Sequence, residues 1–409
     1  MRIDRRRPVI CDLREKPVPQ DGIRHFMVKY AYCIIMKVDP WKIKQHEDEM
    51  KAKQFWYPLP ERLIAQHPAE RRGTERMMVL HRDTGVIEHR HIADIVEYLT
   101  PNDLLVVNDT KVFPARLVGT WSDTPGEVEV LMIAAAPESE TVRELVWNVM
   151  IGSGRKCREG QTAVFGPDGE LKAHLISKLE GIGMWKVQFE CERPLMDLLD
   201  EFGRTPVPPY VRREGTREEE LADRERYQTI YARNVGSVAA PTAGLHFTEE
   251  IFAALEAKGV KRCAVTLHVG PGTFRPVKVE DIEDHHMDFE AFTVPPETAE
   301  AINACKARGG RVVCVGSTTV RTLETVACRE RGEGEPLVAP GSGASNIFIY
   351  PPYRFKVCDA MLTNFHLPQS TLLMMVSALA GRERILCAYA FAVRKDYRFF
   401  SYGDCMLIV

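Results

Sequence analysis

The chain has 409 residues, 45% of them hydrophobic and 27% charged, with a formal net charge of -3 at pH 7. That length accommodates two domains with a sizeable core, and the near-balanced charge excludes a wholesale basic surface, so any nucleic-acid contact must rest on a local patch. No segment approaches the roughly eighteen apolar residues that span a bilayer, and the 11 cysteines contain no C-x-x-C pair, which speaks against a zinc ribbon or a disulfide frame and for a reducing cytosol.

In chain order, residues 1–52 open with Arg5-Arg6-Arg7, carry no sustained period and run into the charged stretch KIKQHEDEMKAKQ. They read as an appendage, disordered or loosely packed. The apolar run Tyr30 to Met36 is bounded by Lys29 and Lys37 and lacks a small-residue cleavage site, so it is a poor signal peptide. Synthesis is expected to start at Met50, just before the first interpretable element, FWYPLPERLIAQHPAERRGTERMMVL.

From Leu104 to Asn108, LLVVN predicts a buried strand opening into the turn NDTKVFPARL. The short patterns GEVEVLMI, LVWNVMI, TAVFG, LKAHLIS and GMWKVQF follow between Gly126 and Phe189. Strands at such close, turn-separated spacing predict a small all-β unit, barrel-like. After about Leu195 helices and strands alternate, which predicts a largely parallel sheet. The expected organisation is an α/β catalytic domain over 53–114 and 196–409 with the barrel-like domain inserted at 115–195. The bridge GRTPVPPYVRREGTREEELADRERYQTIYA reads either as a solvated linker or as a mobile loop covering substrate.

The stretch VAAPTAGLHFTEEIFAALEAKGVKRCAVTLHVGPGTFRPV, Val238 to Val277, holds His246 and His268 among Gly, Pro and Thr. Thr248 with Glu249 and Glu250 predicts a helix start, Gly259 its stop, and Lys261 to Val269 a strand ending beside His268. RVVCVGSTTVRTLE, Arg311 to Glu324, predicts strand, turn and helix. DAMLTNFHLPQSTLLMMVSALAG predicts a strand ending in Asn364, Phe365 and His366, then a helix capped by Ser370 and closed by Gly381. Strand-end loops carrying His, Asn and Thr in one α/β chain point to one site. Two other stretches carry no such message. In DHHMDFE, His285 and His286 are adjacent and so do not share a helical face at i, i+4, which makes a poor metal site. PGSGAS lacks the length and the Lys of a phosphate-binding loop.

The motifs NDTKVFPARL, PTAGLHFT, LHVGPGTFRPV, TNFHLPQSTLLMMVSALAG and YRFFSYGDCMLI together closely resemble one family, the S-adenosylmethionine:tRNA ribosyltransferase-isomerases of queuosine biosynthesis. The resemblance covers Phe55 to Val409. It implies an enzyme that takes the ribosyl group, not the methyl, of S-adenosylmethionine and places it on the aminomethyl of a 7-deazaguanine at the tRNA wobble position. Epoxyqueuosine forms, and adenine and methionine leave.

Under that resemblance the residue types find roles. A sulfonium acidifies the neighbouring ribose methylene, so a positioned base can begin the sequence, and His suits neutral pH. His246 and His268 are the candidates, His366 the third, with Asp109 steering a histidine or receiving the substrate amine. N–H groups of Ala243, Gly244 and Leu245 can hold the methionine carboxylate, Arg275 and Arg321 are alternative clamps for a carboxylate or phosphate, and Thr242, Gly270, Gly272, Thr273 and Phe274 are further candidates for binding substrate. Thr318, Thr319 and Asn364 can meet the ribose hydroxyls or the adenine edge, and Asp404 the amine, although turn capping is the alternative for Asp109 and Asp404. The tRNA partner is expected at its anticodon arm, on Arg72, Arg76, Arg116, Arg212 and Arg354, with Tyr210 and Tyr227 stacking on unpaired bases. No metal, no membrane, a monomer and a cytoplasmic location are expected. In H-x-M-H-x-E, the common family reading of 285–290, Asp288 replaces the second His, and Asn346 stands where Asp is more usual. The alternatives are a tRNA-binding homologue that has lost turnover and a methyltransferase; against the latter, no G-x-G-x-G loop follows a first strand. If translation starts at Met50, mass spectrometry of the native protein will yield no peptide from Asp12 to Lys44; such a peptide would end that expectation.

Overall fold

The structure, a computed structural model, describes residues 50–136, 145–154, 156–270, 272, 277–328, 332 and 334–409; residues 1–49 of the expected appendage lie outside the described residues. The strands in chain order are β1 (Arg76–Leu80), β2 (Ile87–His91), β3 (Leu104–Asn108), β4 (Thr110–Val112), β5 (Arg116–Trp121) and β6 (Thr124–Ala135). Next are β7 (Leu145–Ser153), β8 (Thr162–Phe165), β9 (Leu171–Lys178), β10 (Met184–Cys191), β11 (Asn234–Ser237) and β12 (Lys261–Leu267). The last are β13 (Glu290–Val294), β14 (Val312–Val315), β15 (Gly341–Ser345), β16 (Ala360–Asn364) and β17 (Cys405–Ile408). Helices are α1 (Ile95–Tyr98), α2 (Leu195–Phe202), α3 (Arg217–Arg226), α4 (Glu249–Ala257), α5 (Pro296–Ala307), α6 (Gly316–Cys328), α7 (Thr371–Ala380) and α8 (Arg382–Arg394). The described residues fall into two compact units, one drawn from Met1–Asp109, Pro241–Leu267 and Gly272–Val409, the other from Thr110–Ala240 and His268–Pro271.

In the first unit, a nine-stranded sheet runs in the order β15-β13-β12-β3-β14-β16-β17-β1-β2. Strands β3, β14, β16 and β17 are buried along their whole length, which is why LLVVN, VVCV and CMLI read as continuous apolar runs. The edge strand β2, IEHRH, is instead polar and nowhere fully buried, which discourages further pairing. The sheet is mixed, not largely parallel. β12, β3, β14 and β16 form a parallel block, whereas β17 runs antiparallel to β16 and parallel to β1. The reason lies in the connection. One crossover helix returns a chain parallel, but β16 is followed by two packed helices, α7 and α8, joined at Gly381 with φ 90. The second of them, RERILCAYAFAVR, was not anticipated.

The second unit is built on a closed barrel, β10-β7-β6-β5-β8-β9, with every neighbouring pair antiparallel. Alternation along β9 and β10 puts Ala173, Leu175, Trp185, Val187 and Phe189 inside, and closure leaves no edge. The sixth strand, β5, was hidden in what reads as a turn region. Its Gly119 passes so close to β8 that a Cβ would lie 2.2 Å from the Val164 carbonyl, a contact that only glycine allows. The Pro-rich bridge folds within this unit: Thr216 and Glu219 cap α3, and Arg213 grips Asp223 through two bonds of 2.7 and 2.8 Å. Among the described residues no helix is long and apolar enough to cross a membrane.

One buried carboxylate fastens the first unit. Glu324 on α6 is fully buried and accepts N–H bonds from Lys356, Val357 and Cys358, each at 3.0 Å. The Tyr353 hydroxyl donates to it at 3.0 Å, and burial raises that phenol's pKa, so it stays protonated. Replacing Glu324 by Leu strands these donors in the interior, at about 3 kcal/mol in total. Urea denaturation of Glu324→Leu should record that loss, and an unchanged midpoint would show that the loop is held otherwise.

Candidate functional site

The parallel block ends at one level. Val106 pairs with Cys314, and Val315 with Leu362, so Asn108, Gly316 and Asn364 emerge together at the carboxyl edge, where α/β sheets bind ligands. Gly316, at φ 84, lets α6 begin directly from β14 without a separate capping residue. Thr248 and Ser370 cap α4 and α7 with their hydroxyls; Val315, in the same relation to α6, has none to offer. The short 3-10 turn Thr242–His246 packs on β16 and α6, and Ala243 stands 3.6 Å from where a Gly316 Cβ would be.

His246 ends this turn, 2% exposed. Its Nε2 lies 3.2 Å from the Asn364 amide nitrogen, which also donates to the Phe400 carbonyl at 2.9 Å. Its Nδ1 faces a Glu75 carboxylate oxygen at 3.8 Å. Glu75 is buried as well and accepts the Gly73 N–H at 2.8 Å. Burial pushes its carboxyl up, but His246 and the Gly73 amide prevail and hold it below the usual carboxylate range. At the same carboxyl edge, two buried oxygens have no hydrogen-bond partner among the described residues, Asn364 Oδ1 and Thr318 Oγ1. The Asn364 oxygen belongs to the amide that meets His246, Thr318 Oγ1 lies 3.7 Å from where a Gly316 Cβ would be, and such atoms are costly unless a ligand meets them.

The other expected residues of the first unit are engaged elsewhere. The Thr319 hydroxyl donates to the Val315 carbonyl at 2.8 Å. Arg321, 1% exposed, is ion-paired with Glu290 and so is not a free clamp. In the Thr242–Leu245 turn, the Gly244 N–H is taken by the Pro241 carbonyl at 2.8 Å. Asp109 accepts from Thr266 at 2.7 Å. Asp404 accepts the N–H groups of Arg76 and Arg398 at 2.9 and 2.8 Å, the turn-capping alternative. Arg76 also bonds the Lys395 carbonyl at 3.0 Å and lies over the Tyr397 ring, so it builds the fold more than it offers itself to phosphate. Arg354 is exposed and Arg72 half-buried.

His268, Gly270, Arg116, Tyr210, Arg212 and Tyr227 belong to the second unit. There His268 Nδ1 meets the Thr110 hydroxyl at 2.8 Å, and Gly236 passes so near the ring that a Cβ would sit 2.8 Å from it. Arg116 is paired with Glu129 at 2.7 Å, Tyr210 is half-buried and Arg212 exposed. Tyr227 is 1% exposed, which removes it as a face on which a base can stack. Thr273, Phe274 and Arg275 lie outside the described residues. Gly272 abuts Asp288, whose Oδ2 is 2.1 Å from where a Cβ would go. Asp288 and Asn346 are both exposed. Among the described residues no three His, Cys, Asp or Glu side chains group so as to hold a metal.

His366 is placed as a structural residue. Its ring meets the Thr363 hydroxyl at 2.8 Å, its amide donates to the Tyr389 hydroxyl at 3.0 Å, and its carbonyl accepts from Tyr57. Burial here pushes its imidazole down to about 3. Glu75, absent from the sequence reading, had one signal: it is the second of two acids in ERRGTER, which reads as a cationic run.

The chain matches the family model described as "Queuosine biosynthesis protein" over residues 52–408. It is similar to the S-adenosylmethionine:tRNA ribosyltransferase-isomerase of Acetivibrio thermocellus, 49% identical over 359 residues, covering 88% of this chain and 100% of that one. The protein of the same name from Thermoanaerobacter sp. is 48% identical over 360 residues, with the same coverage. A solved structure, the S-adenosylmethionine tRNA ribosyltransferase of Thermotoga maritima, is 37% identical with a TM-score of 0.47, covering 87% of this chain and 100% of that one.

The His366 placement has a measurable consequence. Unfolded, its imidazole titrates near about 6.5; folded, it stays neutral down to about 3. The unfolded chain therefore binds the extra proton in that window, and the fold loses stability as pH falls from 6.5, by about 2 kcal/mol at pH 5. His366→Gln should lose less stability between pH 7 and pH 5 than the parent in urea melts. Equal losses would mean that His366 is not held neutral.

Proposed function

The chain belongs to the S-adenosylmethionine:tRNA ribosyltransferase-isomerase family of queuosine biosynthesis, and from that premise we infer which of its residues do the chemistry. It is an enzyme acting on tRNA, with S-adenosylmethionine as the ribosyl-donating substrate. It transfers and isomerises the ribosyl moiety onto the 7-aminomethyl-7-deazaguanine wobble base, giving epoxyqueuosine and releasing adenine and methionine.

His246 is the general base in this reading. The observation that supports it is the buried imidazole at the carboxyl edge of the sheet, against the Asn364 amide whose oxygen has no hydrogen-bond partner among the described residues. The sulfonium makes the adjoining ribose methylene acidic, and His246 Nε2 takes that proton. Asn364 Oδ1 accepts from, and the Thr318 hydroxyl donates to or accepts from, polar groups of the ribose or adenine. Because the Thr319 hydroxyl is bonded to Val315 and Arg321 is ion-paired with Glu290, they support the site without touching substrate. The start of α6, uncapped by any side chain of Val315, suits the methionine carboxylate. His268 is the second candidate, for proton return in later steps. The anticodon arm is met by Arg72, Arg212 and Arg354 through phosphates, with Tyr210 stacking. We read the protein as a cytoplasmic monomer.

The test is incubation with S-adenosylmethionine and tRNA carrying the aminomethyl deazaguanine, followed by chromatography. Adenine and epoxyqueuosine are expected, where a methyltransferase would release adenosylhomocysteine and a binder neither. His246→Ala should lower turnover by at least about 100-fold, with tRNA affinity within about threefold. Parallel losses in both would make His246 a binding residue.

A further inference from the structure

We propose that Glu75 is a positioning residue for this reaction, fixing His246 with its proton on Nδ1 and its Nε2 lone pair available to the substrate carbon. The inference rests on the assignment of His246 as the base.

The tautomer follows from the hydrogen bonds. The Phe400 carbonyl can only accept, so the group of Asn364 that lies 2.9 Å from it is the amide NH2. The same nitrogen stands 3.2 Å from His246 Nε2. A neutral imidazole nitrogen facing a donor must be the acceptor, which leaves the ring proton on Nδ1. Nδ1 has no hydrogen-bond partner among the described residues, and the acceptor that faces it is Glu75 Oε2, 3.8 Å away, with the two side chains 2% and 7% exposed. That gap is longer than a hydrogen bond, but a shift of about 1 Å closes it, and such contacts commonly tighten when substrate binds.

Glu75 is held where this requires. The Gly73 N–H fixes its Oε2 at 2.8 Å. Gly73 itself, at φ 87, approaches Thr248 so nearly that a Cβ would lie 2.8 Å from the Thr248 methyl. Thr248 caps α4 two residues after His246, so the loop carrying Glu75 and the turn carrying His246 are packed as one piece. The lowered carboxyl pKa keeps Glu75 ionised.

The chemistry needs that charge. When Nε2 takes a proton from the carbon beside the sulfonium, a C–H bond breaks and an N–H bond forms. The electron pair stays on carbon next to positive sulfur, and the imidazole becomes a cation. A buried cation without a partner is costly; Glu75 supplies the partner, and Asn364 releases Nε2 without losing its bond to Phe400.

The experiment compares the full-length protein with Glu75→Gln and Glu75→Asp. For Glu75→Gln, which keeps size and loses charge, kcat for adenine release should fall about 100-fold or more, with KM for S-adenosylmethionine within about threefold. Glu75→Asp should recover at least about tenfold of that loss, because the charge returns. In parallel, 15N imidazole spectra of the wild type should show His246 protonated on Nδ1. A kcat for Glu75→Gln within about threefold of the parent, KM rising in step with the loss of kcat, or a proton on Nε2 would each overturn the proposal. If the wild type releases no adenine, the reaction assignment fails by itself, while the spectrum still decides the tautomer.

Discussion

A buried imidazole has two ring nitrogens to satisfy and no water to help, and that requirement ties the first unit together. His246 draws its neighbours from opposite ends of the chain, Glu75 just ahead of β1 and Asn364 at the end of β16. The sheet makes the meeting possible. Met77, Cys405 and Asn364 form one row across β1, β17 and β16. Because β17 reverses direction relative to β16, the start of β1 lies level with the end of β16. A fully parallel sheet would have carried the far end of β1 to that row, and Glu75 away from the histidine.

Helix α6 does three jobs with residues three apart. Thr318, Arg321 and Glu324 share one face, and all three are buried. The first turn holds Thr318 at the carboxyl edge, Arg321 pairs with Glu290 at the start of β13, and Glu324 takes the amides of 356–358. Such a stripe would be destabilising unless each member found a partner. Two of them do so within the protein. The helix is thereby fixed against strand and loop, and its first turn is presented without play.

How much of this was legible in the sequence follows from where the information lies. Local patterns gave the α/β unit, the β-rich insertion, the caps at Thr248 and Ser370 and the stops at Gly259 and Gly381, because those depend on a few neighbouring residues. His246 and Asn364 stood out because Gly and Pro around them signal loops at strand ends. Long-range facts were hidden. Nothing local tells that α8 follows α7 and turns β17 round, that Arg321 is neutralised by Glu290, or that Tyr227 is enclosed. Asp404 and Asp109 read as turn caps somewhat more than as ligand groups, and the reading turns on the amides and hydroxyls facing them. Glu75 was masked by its basic neighbours, since charge summed along a chain says nothing of which side chain folds inward.

Three of the four threonines of α6, Thr318, Thr319 and Thr322, show why unpartnered atoms matter here. A helical threonine ordinarily donates its hydroxyl to the carbonyl four residues back; Thr319 does so to Val315 and Thr322 to Thr318, at 2.8 and 3.0 Å. For Thr318 the residue four back is Cys314, and no such bond is made: its hydroxyl has no hydrogen-bond partner among the described residues. Asn364 has a similar lack, one end of its amide fixed by Phe400 and the other open. Each such atom costs about 1–3 kcal/mol while unmet. Nearby positions on the same helix show that the fold can satisfy a threonine when function makes no demand on it. Of the two that go unmet, one belongs to the amide that meets His246 and the other to the first turn of α6 at the same carboxyl edge, where a ribose and a base would supply the missing partners.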